Sequence, residues 1–261
     1  MGKNISFIGS GNVAWHLAPA LENAGHVVRE VYSRNSKNAA KLVDRLYQAE
    51  VTEDLDFSGS NSEIFIISVS DDAIDDVAQE IVLPEDALVV HTSGAKSIGI
   101  LGYTASEFIG VFYPLQTFSK SKKVNFEDIP ICIEAEDPET EKALKSLAKS
   151  ISKKVVSINS ADRKTLHVAA VFACNFTNHC MAIAEDILNA NKMDFDLLKP
   201  LIVETLNKSF ELGPHNAQTG PAKRHDFETL DSHMEYLDNN ERLAELYRLF
   251  SQHIVDMHPR S

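Results

Sequence analysis

The chain has 261 residues and a mass of 28.9 kDa, enough for one large domain or two with a full core. Its 44% hydrophobic and 24% charged residues describe a folded protein, not a disordered one. A formal net charge of −13 argues against nucleic acid or an anionic membrane as the main partner, since each needs a basic face.

In chain order, strand signals and helical patterns alternate through the first 160 residues. Strands are predicted at Ile5–Ile8, Val27–Tyr32, Ile64–Val69, Leu88–His91, Ile109–Phe112, Ile131–Glu134 and Val155–Ile158. Helices are predicted at Asn12–Ala24, Ser36–Tyr47, Asp72–Ile81 and Pro138–Ile151. Several strands are near-continuous apolar runs, the mark of a parallel sheet covered on both faces, so the fold class is α/β with a doubly wound parallel sheet. The run Lys120-Ser121-Lys122-Lys123 reads as a solvated loop. After Ile158 strand signals stop. About thirty residues without Gly or Pro follow, then helices at Phe195–Leu212 and Phe227–His258. The last is broken near Asp238-Asn239-Asn240, and the polar loop "GPHNAQTGPAKRHD" precedes it. This predicts a nucleotide-binding domain over 1–158 and an all-helical domain over 159–261. Cys132, Cys174 and Cys180 make no disulfide framework, the first strand starts too early for a signal peptide, and no apolar run approaches a membrane span. A soluble, cytoplasmic protein is expected.

Gly9-Ser10-Gly11-Asn12-Val13-Ala14 closes the first strand and opens the first helix. The bland reading is that glycine permits the tight turn. The sharper one is a dinucleotide fingerprint: Gly9 makes the turn, Gly11 lets the backbone approach a pyrophosphate, and Ala14 keeps helix and sheet close. The backbone of Ser10, Asn12 and Val13 then meets the phosphates at the positive end of the helix dipole. The second strand ends in Ser33-Arg34-Asn35, where a carboxylate would mark a site selective for NAD(H). Hydroxyl and guanidinium donors there favour a 2′-phosphate, hence NADP(H). The alternative is a polar loop with an incidental arginine.

The glycine turn, the "SRN" loop and the helical second half together resemble the superfamily of 6-phosphogluconate and β-hydroxyacid dehydrogenases, pyrroline-5-carboxylate reductase and ketopantoate reductase. Finer stretches are "SVSDDAI" (68–74), "HTSGA" (91–95), "GVFYPLQTF" (110–118), "LHVAAVFACNF" (166–176) and "TGPAKRHD" (219–226). Across essentially the whole chain they are similar to Rossmann-like oxidoreductases carrying the C-terminal domain of unknown function 2520. The resemblance implies hydride transfer with NADP and a homodimer built on the helical half.

Ligands of open α/β sheets bind beyond the carboxyl ends of the strands. There Ser68, Val69 and Ser70 would border the nicotinamide ribose, unless Ser70 or Asp71 simply caps a helix. His91, Thr92 and Ser93 would face the substrate, unless they form a plain turn. Tyr113-Pro114-Leu115 resembles the His-Pro-Met stretch of prephenate dehydrogenases, with Tyr in place of the histidine. The helix from Leu166 to Phe176 is apolar nearly all round, which predicts burial. His167, Asn175 and Asn178 interrupt it. At 100° per residue, positions 167, 171 and 178 fall within about 40° and Asn175 about 80° from His167, one broad face. That face would meet substrate, or a domain or subunit contact. β-Hydroxyacid dehydrogenases carry a catalytic lysine four residues before an asparagine. Here Val171 precedes Asn175, so the proton donor falls to His167, with Tyr113 and His91 behind it and Asn175 orienting the substrate. Arg224 would clamp a substrate carboxylate, or else pair with Asp226 and cap the next helix. No metal is expected. His179 and Cys180 are adjacent and point apart. The sequence therefore predicts an NADPH-dependent reductase of a small, anionic carbonyl or imine compound. The missing lysine favours the alternative, a non-catalytic NADP(H)-binding sensor; a deazaflavin-dependent NADP reductase is a narrower third reading.

Overall fold

The computed structural model describes residues 2–260. The chain divides into two units, the first ending at His179 and the second running from Cys180.

The first unit is built on eight strands: β1 (Asn4–Ile8), β2 (Val27–Tyr32), β3 (Glu50–Thr52), β4 (Ile64–Ile67), β5 (Leu88–His91), β6 (Phe108–Pro114), β7 (Ile131–Ala135) and β8 (Val155–Ser157). They lie in the order β3-β2-β1-β4-β5-β6-β7-β8. Four helices flank them: α1 (Asn12–Asn23), α2 (Ser36–Val43), α3 (Ile74–Glu80) and α4 (Pro138–Lys149). Alternation along the strands feeds two cores. Ile5, Phe7, Ile64 and Ile66 pack with Leu17, Leu42 and Leu144 of α1, α2 and α4. Ile8, Phe65, Ile67 and Val89 pack on the other face with Ile74 and Val77 of α3. Pairing is parallel from β3 to β6, as predicted. β7 then pairs antiparallel with β6 and parallel with β8, a reversal within the otherwise parallel sheet that the sequence does not announce. An apolar run encodes burial and not strand direction. The reversal keeps the connection 115–130 at the rim where β6 ends.

After β8, one continuous helix runs from Ser160 to Ala190 as α5 (Ser160–Ala170), a widened π-helical segment (171–176) and α6 (Thr177–Ala190). Two expectations fail here. Among the described residues of this helix only Arg163 is buried; Phe172 and Phe176 are 63% and 44% exposed. The helix is also long and apolar enough to cross a membrane, by length and composition alone. The polar interruptions at His167, Asn175 and Asn178 had hidden this, because an average over many residues absorbs them.

The second unit is helical. α7 (Lys199–Leu212) and the short α8 (Pro214–Ala217) and α9 (Pro221–Arg224) precede α10 (Phe227–Tyr236) and α11 (Glu241–Met257). The predicted break at 238–240 is present: Asn240 accepts from the Leu243 N–H and starts α11.

Candidate functional site: a cavity at the carboxyl ends of the strands

β1 pairs with β2 on one side and β4 on the other, so the chain changes winding direction at β1 and leaves a crevice there. The ladder extends just past the strand ends. Gly9 N–H donates to the Tyr32 carbonyl (2.8 Å), Ser68 N–H to Ile8 (2.7 Å) and Thr92 N–H to Ile67 (3.1 Å). These bonds align residues 9, 68 and 92 along one rim.

The two glycines of the turn have different reasons. Gly9 has φ +113°, and a Cβ there would stand 2.3 Å from the Ser68 carbonyl oxygen, so the fold itself demands glycine. Gly11 has φ −72°, and a Cβ would come no nearer than 3.8 Å to that same oxygen. No neighbouring side chain or strand requires bare backbone at 11. Gly11 is the N-cap of α1, which has no side-chain cap bond and no acidic residue in its first turn. Its free amides open onto a cavity of about 830 Å³ lined by Gly9 through Val13. An uncapped helix start with a glycine the chain does not need fits a diphosphate. Ser68, another residue of the cavity lining, adds a second sign: its Oγ is buried and has no hydrogen-bond partner.

Ser33, Arg34, Val69 and Ser70 also line this cavity. Ser70 makes no side-chain cap bond to the turn after it. Arg34 is exposed and forms no ion pair or side-chain hydrogen bond among the described residues. Asn35 does not line the cavity. Its Oδ1 accepts from the Lys37 N–H at 3.1 Å and caps α2, a use that a helix starting at Ser36 imposes. Lys120 does line it, and donates to the Ser10 carbonyl at 2.9 Å. The basic run is solvent-exposed, as read from the sequence, Lys120 included; the antiparallel return of β7 also holds this connection at the rim of the cavity.

At the other end of the cavity stand Thr92, Ser93, Gly94, Tyr113 and His167. The Tyr113 hydroxyl lies 3.2 Å from His167 Nδ1. A Cβ on Gly94 would come within 2.7 Å of both His167 Nδ1 and Tyr113 Cζ, so the bare residue is what lets the pair close. Burial pushes the Tyr113 phenol up to about 12, so it keeps its proton across the physiological range. Ser93 Oγ accepts from the Ala95 and Lys96 N–H groups (3.1 and 3.0 Å) and is committed to the turn.

His91 stands apart from this set. It is fully buried, its Nδ1 accepts from the Ser93 N–H (3.1 Å) and its Nε2 faces the Ser97 carbonyl (3.3 Å). The structure makes it a brace of the 91–97 loop, because both ring nitrogens are spent there. Burial, and then the nearby Arg163 charge, pull its pKa from 6.5 down to about 4. As pH falls through 6.5 the unfolded chain takes a proton that the folded chain refuses until about 4. Stability from this group is therefore intact above pH 6.5 and is lost progressively towards pH 4, by about 3 kcal/mol. In urea unfolding at pH 7.5 and 4.5, wild type should lose about that much more than His91→Asn, whose Oδ1 can still accept from Ser93. Equal losses would show that the imidazole does not titrate this way.

Arg163 was missed in the sequence. Its guanidinium is fully buried, pairs with Glu134 and donates to the Lys96 carbonyl. Glu134 also accepts from the Ser160 N–H at 2.8 Å, and Ser160 Oγ accepts from the Ile98 N–H at 3.1 Å. This knot ties the start of α5 to the loop presenting Thr92 and Gly94, one turn before His167. The available signal was spacing: Arg163 and His167 are four apart, on one helix face.

Asn175 and Asn178 are exposed and do not line the cavity. The wheel that aligned them with His167 assumed a regular helix, and the π-helical segment 171–176 shifts the phase of everything after it. Within the second unit Arg224 lies 3.8 Å from Asp226, whose carboxylate caps α10 by accepting from the Thr229 N–H at 3.2 Å. That is the pairing-and-capping alternative.

Residues 3–109 match the Rossmann-like domain, and residues 129–254 match the domain of unknown function DUF2520. A Bacteroides fragilis protein provisionally named an NADP oxidoreductase is 40% identical, with TM-score 0.89 over 98% of each chain. A reductive aminase from Aspergillus terreus, solved with NADPH and ethyl levulinate, has TM-score 0.71 at 12% identity, covering 99% of this chain and 95% of that one. A Thermotoga maritima protein has TM-score 0.69 at 22% identity, covering 97% and 98%. These last two share the fold. No curated protein matches the chain.

Proposed function

We propose, from the premise that the chain belongs to the Rossmann-like family carrying the DUF2520 domain, that it is an NADPH-dependent reductase of a small, anionic carbonyl or imine compound. The observation that carries the reading is the juxtaposition in one cavity of two features: an uncapped helix start beside an unneeded glycine, and the Tyr113–His167 pair. The 40% identical relative bears the name of an NADP oxidoreductase, which supports both the reaction class and the coenzyme.

The amides of Gly11, Asn12 and Val13 would hold the diphosphate, Ser68 would donate to the sugar side, and Ser33 and Arg34 would hold the 2′-phosphate. When bound, the nicotinamide supplies the hydride. His167 supplies the proton. As imidazolium it donates Nδ1–H to the Tyr113 oxygen, which fixes the ring plane, and leaves Nε2–H for the substrate's oxygen or nitrogen. His167 would pass that proton to the substrate heteroatom as the substrate carbon is reduced, and the neutral imidazole would recover a proton from solvent. Thr92 and the loop backbone border that substrate position.

Residues 1–158 serve as the nucleotide-binding part in this reading and 159–261 as the substrate and dimerisation part. The exposed Phe172 and Phe176 support a homodimer in which a second copy covers them; light scattering should then give about twice the chain mass. We place the protein in the cytoplasm, a setting that suits its free cysteines. Nucleic acid and membrane have no part in this reading.

The test is calorimetry with NADPH and NADH, followed by nicotinamide absorbance with a panel of 2-keto acids and cyclic imines. Arg34→Ala should weaken NADPH about 10- to 100-fold and leave NADH nearly unchanged. Equal weakening of both would remove the 2′-phosphate assignment, and no binding of either to the wild type would remove the function.

A further inference from the structure

The cavity has a charge problem that the glycine turn does not solve. Its lining carries three carboxylates, Asp71, Asp76 and Glu80. Against them, among the described residues of that lining, only Arg34 and Lys120 carry fixed positive charge. A phosphorylated dinucleotide brings roughly four negative charges of its own. If Arg34 takes the 2′-phosphate, one cation remains for the diphosphate.

That cation is already in place. Lys120 Nζ sits 2.9 Å from the Ser10 carbonyl, in the residue between the two glycines. The same ammonium lies 4.8 Å from the centre of the Trp15 ring on α1, a cation–π contact that holds it beside the helix start. Lysine has three donors, and this arrangement names a partner for one of them. The residue is drawn from 110 positions away in sequence, by a connection that returns along the rim because β7 runs antiparallel to β6.

We propose that Lys120 is a phosphate-binding residue of the nucleotide site: its ammonium meets the diphosphate lying on the Gly11–Val13 amides. The inference rests on the dinucleotide reading above and adds the one cation of the described lining left for its diphosphate. It also makes two cations divide the ligand, Arg34 at the 2′-phosphate and Lys120 at the diphosphate.

Calorimetry of the full-length protein separates these roles. Lys120→Met should weaken NADPH, NADH and ADP-ribose alike, each by about 10- to 100-fold. It should leave adenosine 2′-monophosphate, which has no diphosphate, unchanged. Lys120→Arg should restore most of the affinity. Trp15, the chain's single tryptophan, reports the same event, since its fluorescence should change when ADP-ribose, which does not absorb the indole emission, draws the ammonium away, and stay flat in Lys120→Met. Unchanged affinity for ADP-ribose in Lys120→Met would overturn the proposal. So would an equal loss for adenosine 2′-monophosphate, which would mark a residue that merely supports the fold. A wild-type protein that binds no nucleotide would overturn the parent reading instead, and this inference with it.

Discussion

Gly11→Ala should leave the protein folded and strip it of dinucleotide affinity, while Gly9→Ala should do the reverse in order of severity. At Gly9 a side chain meets two penalties. The residue holds φ +113°, where a Cβ is strained, and that Cβ would collide with the Ser68 carbonyl at 2.3 Å. A loss of about 2–4 kcal/mol of stability is expected, read by urea unfolding. At Gly11 the backbone is in an ordinary region and a Cβ touches nothing closer than 3.8 Å. Stability should change by less than about 0.5 kcal/mol. The new methyl would stand where the diphosphate must approach the α1 amides, and NADPH affinity should fall about 100-fold. If Gly11→Ala bound NADPH like wild type, the space beside residue 11 would not be a ligand's.

The second large effect is at Gly94. Its substitution by Ala places a methyl 2.7 Å from His167 Nδ1 and from Tyr113 Cζ, so the pair must part. Its φ is not positive, so backbone strain does not confuse the result. Turnover should fall about 10²-fold or more, the range typical of a lost general acid, while the NADPH dissociation constant stays within about twofold. Tyr113→Phe removes the hydrogen bond without adding bulk. It should also lower turnover, and the double substitution should cost little more than the worse single one. Imidazole NMR gives an independent readout: the His167 resonance should shift in both variants. Normal turnover in Gly94→Ala, on any substrate the wild type reduces, would dismiss the pair from catalysis.

Much of the frame was legible because buried parallel strands are written as apolar runs, and the predicted strands recur within a residue or two at each end. β3 escaped, being three residues, Glu50–Thr52, on a partly exposed edge. The break before α11 was legible because Asp238-Asn239-Asn240 is local chemistry. Most of what failed depended on partners distant in sequence; Asn35 is the local exception, since it caps α2 at Lys37. His91 and Tyr113 look alike as strand-end residues, yet one braces a loop and the other meets His167. Asn35 could equally have faced a ligand or capped α2, and only the helix start decides. Arg163 and Lys120 sat in polar stretches that a pattern discounts. Their roles come from Glu134, Lys96 and Ser10, none of them neighbours in the chain.

The turnaround between β6 and β7 acts as a calliper. Tyr113 is at the exit of β6 and Lys120 seven positions on, a span of at most about 25 Å even fully stretched. One short segment thus gauges the separation between the Tyr113–His167 pair and the glycine turn at which Lys120 sits. Lengthening it beyond Pro114 moves the ammonium and leaves the phenol on its strand, so grip and chemistry can be retuned separately.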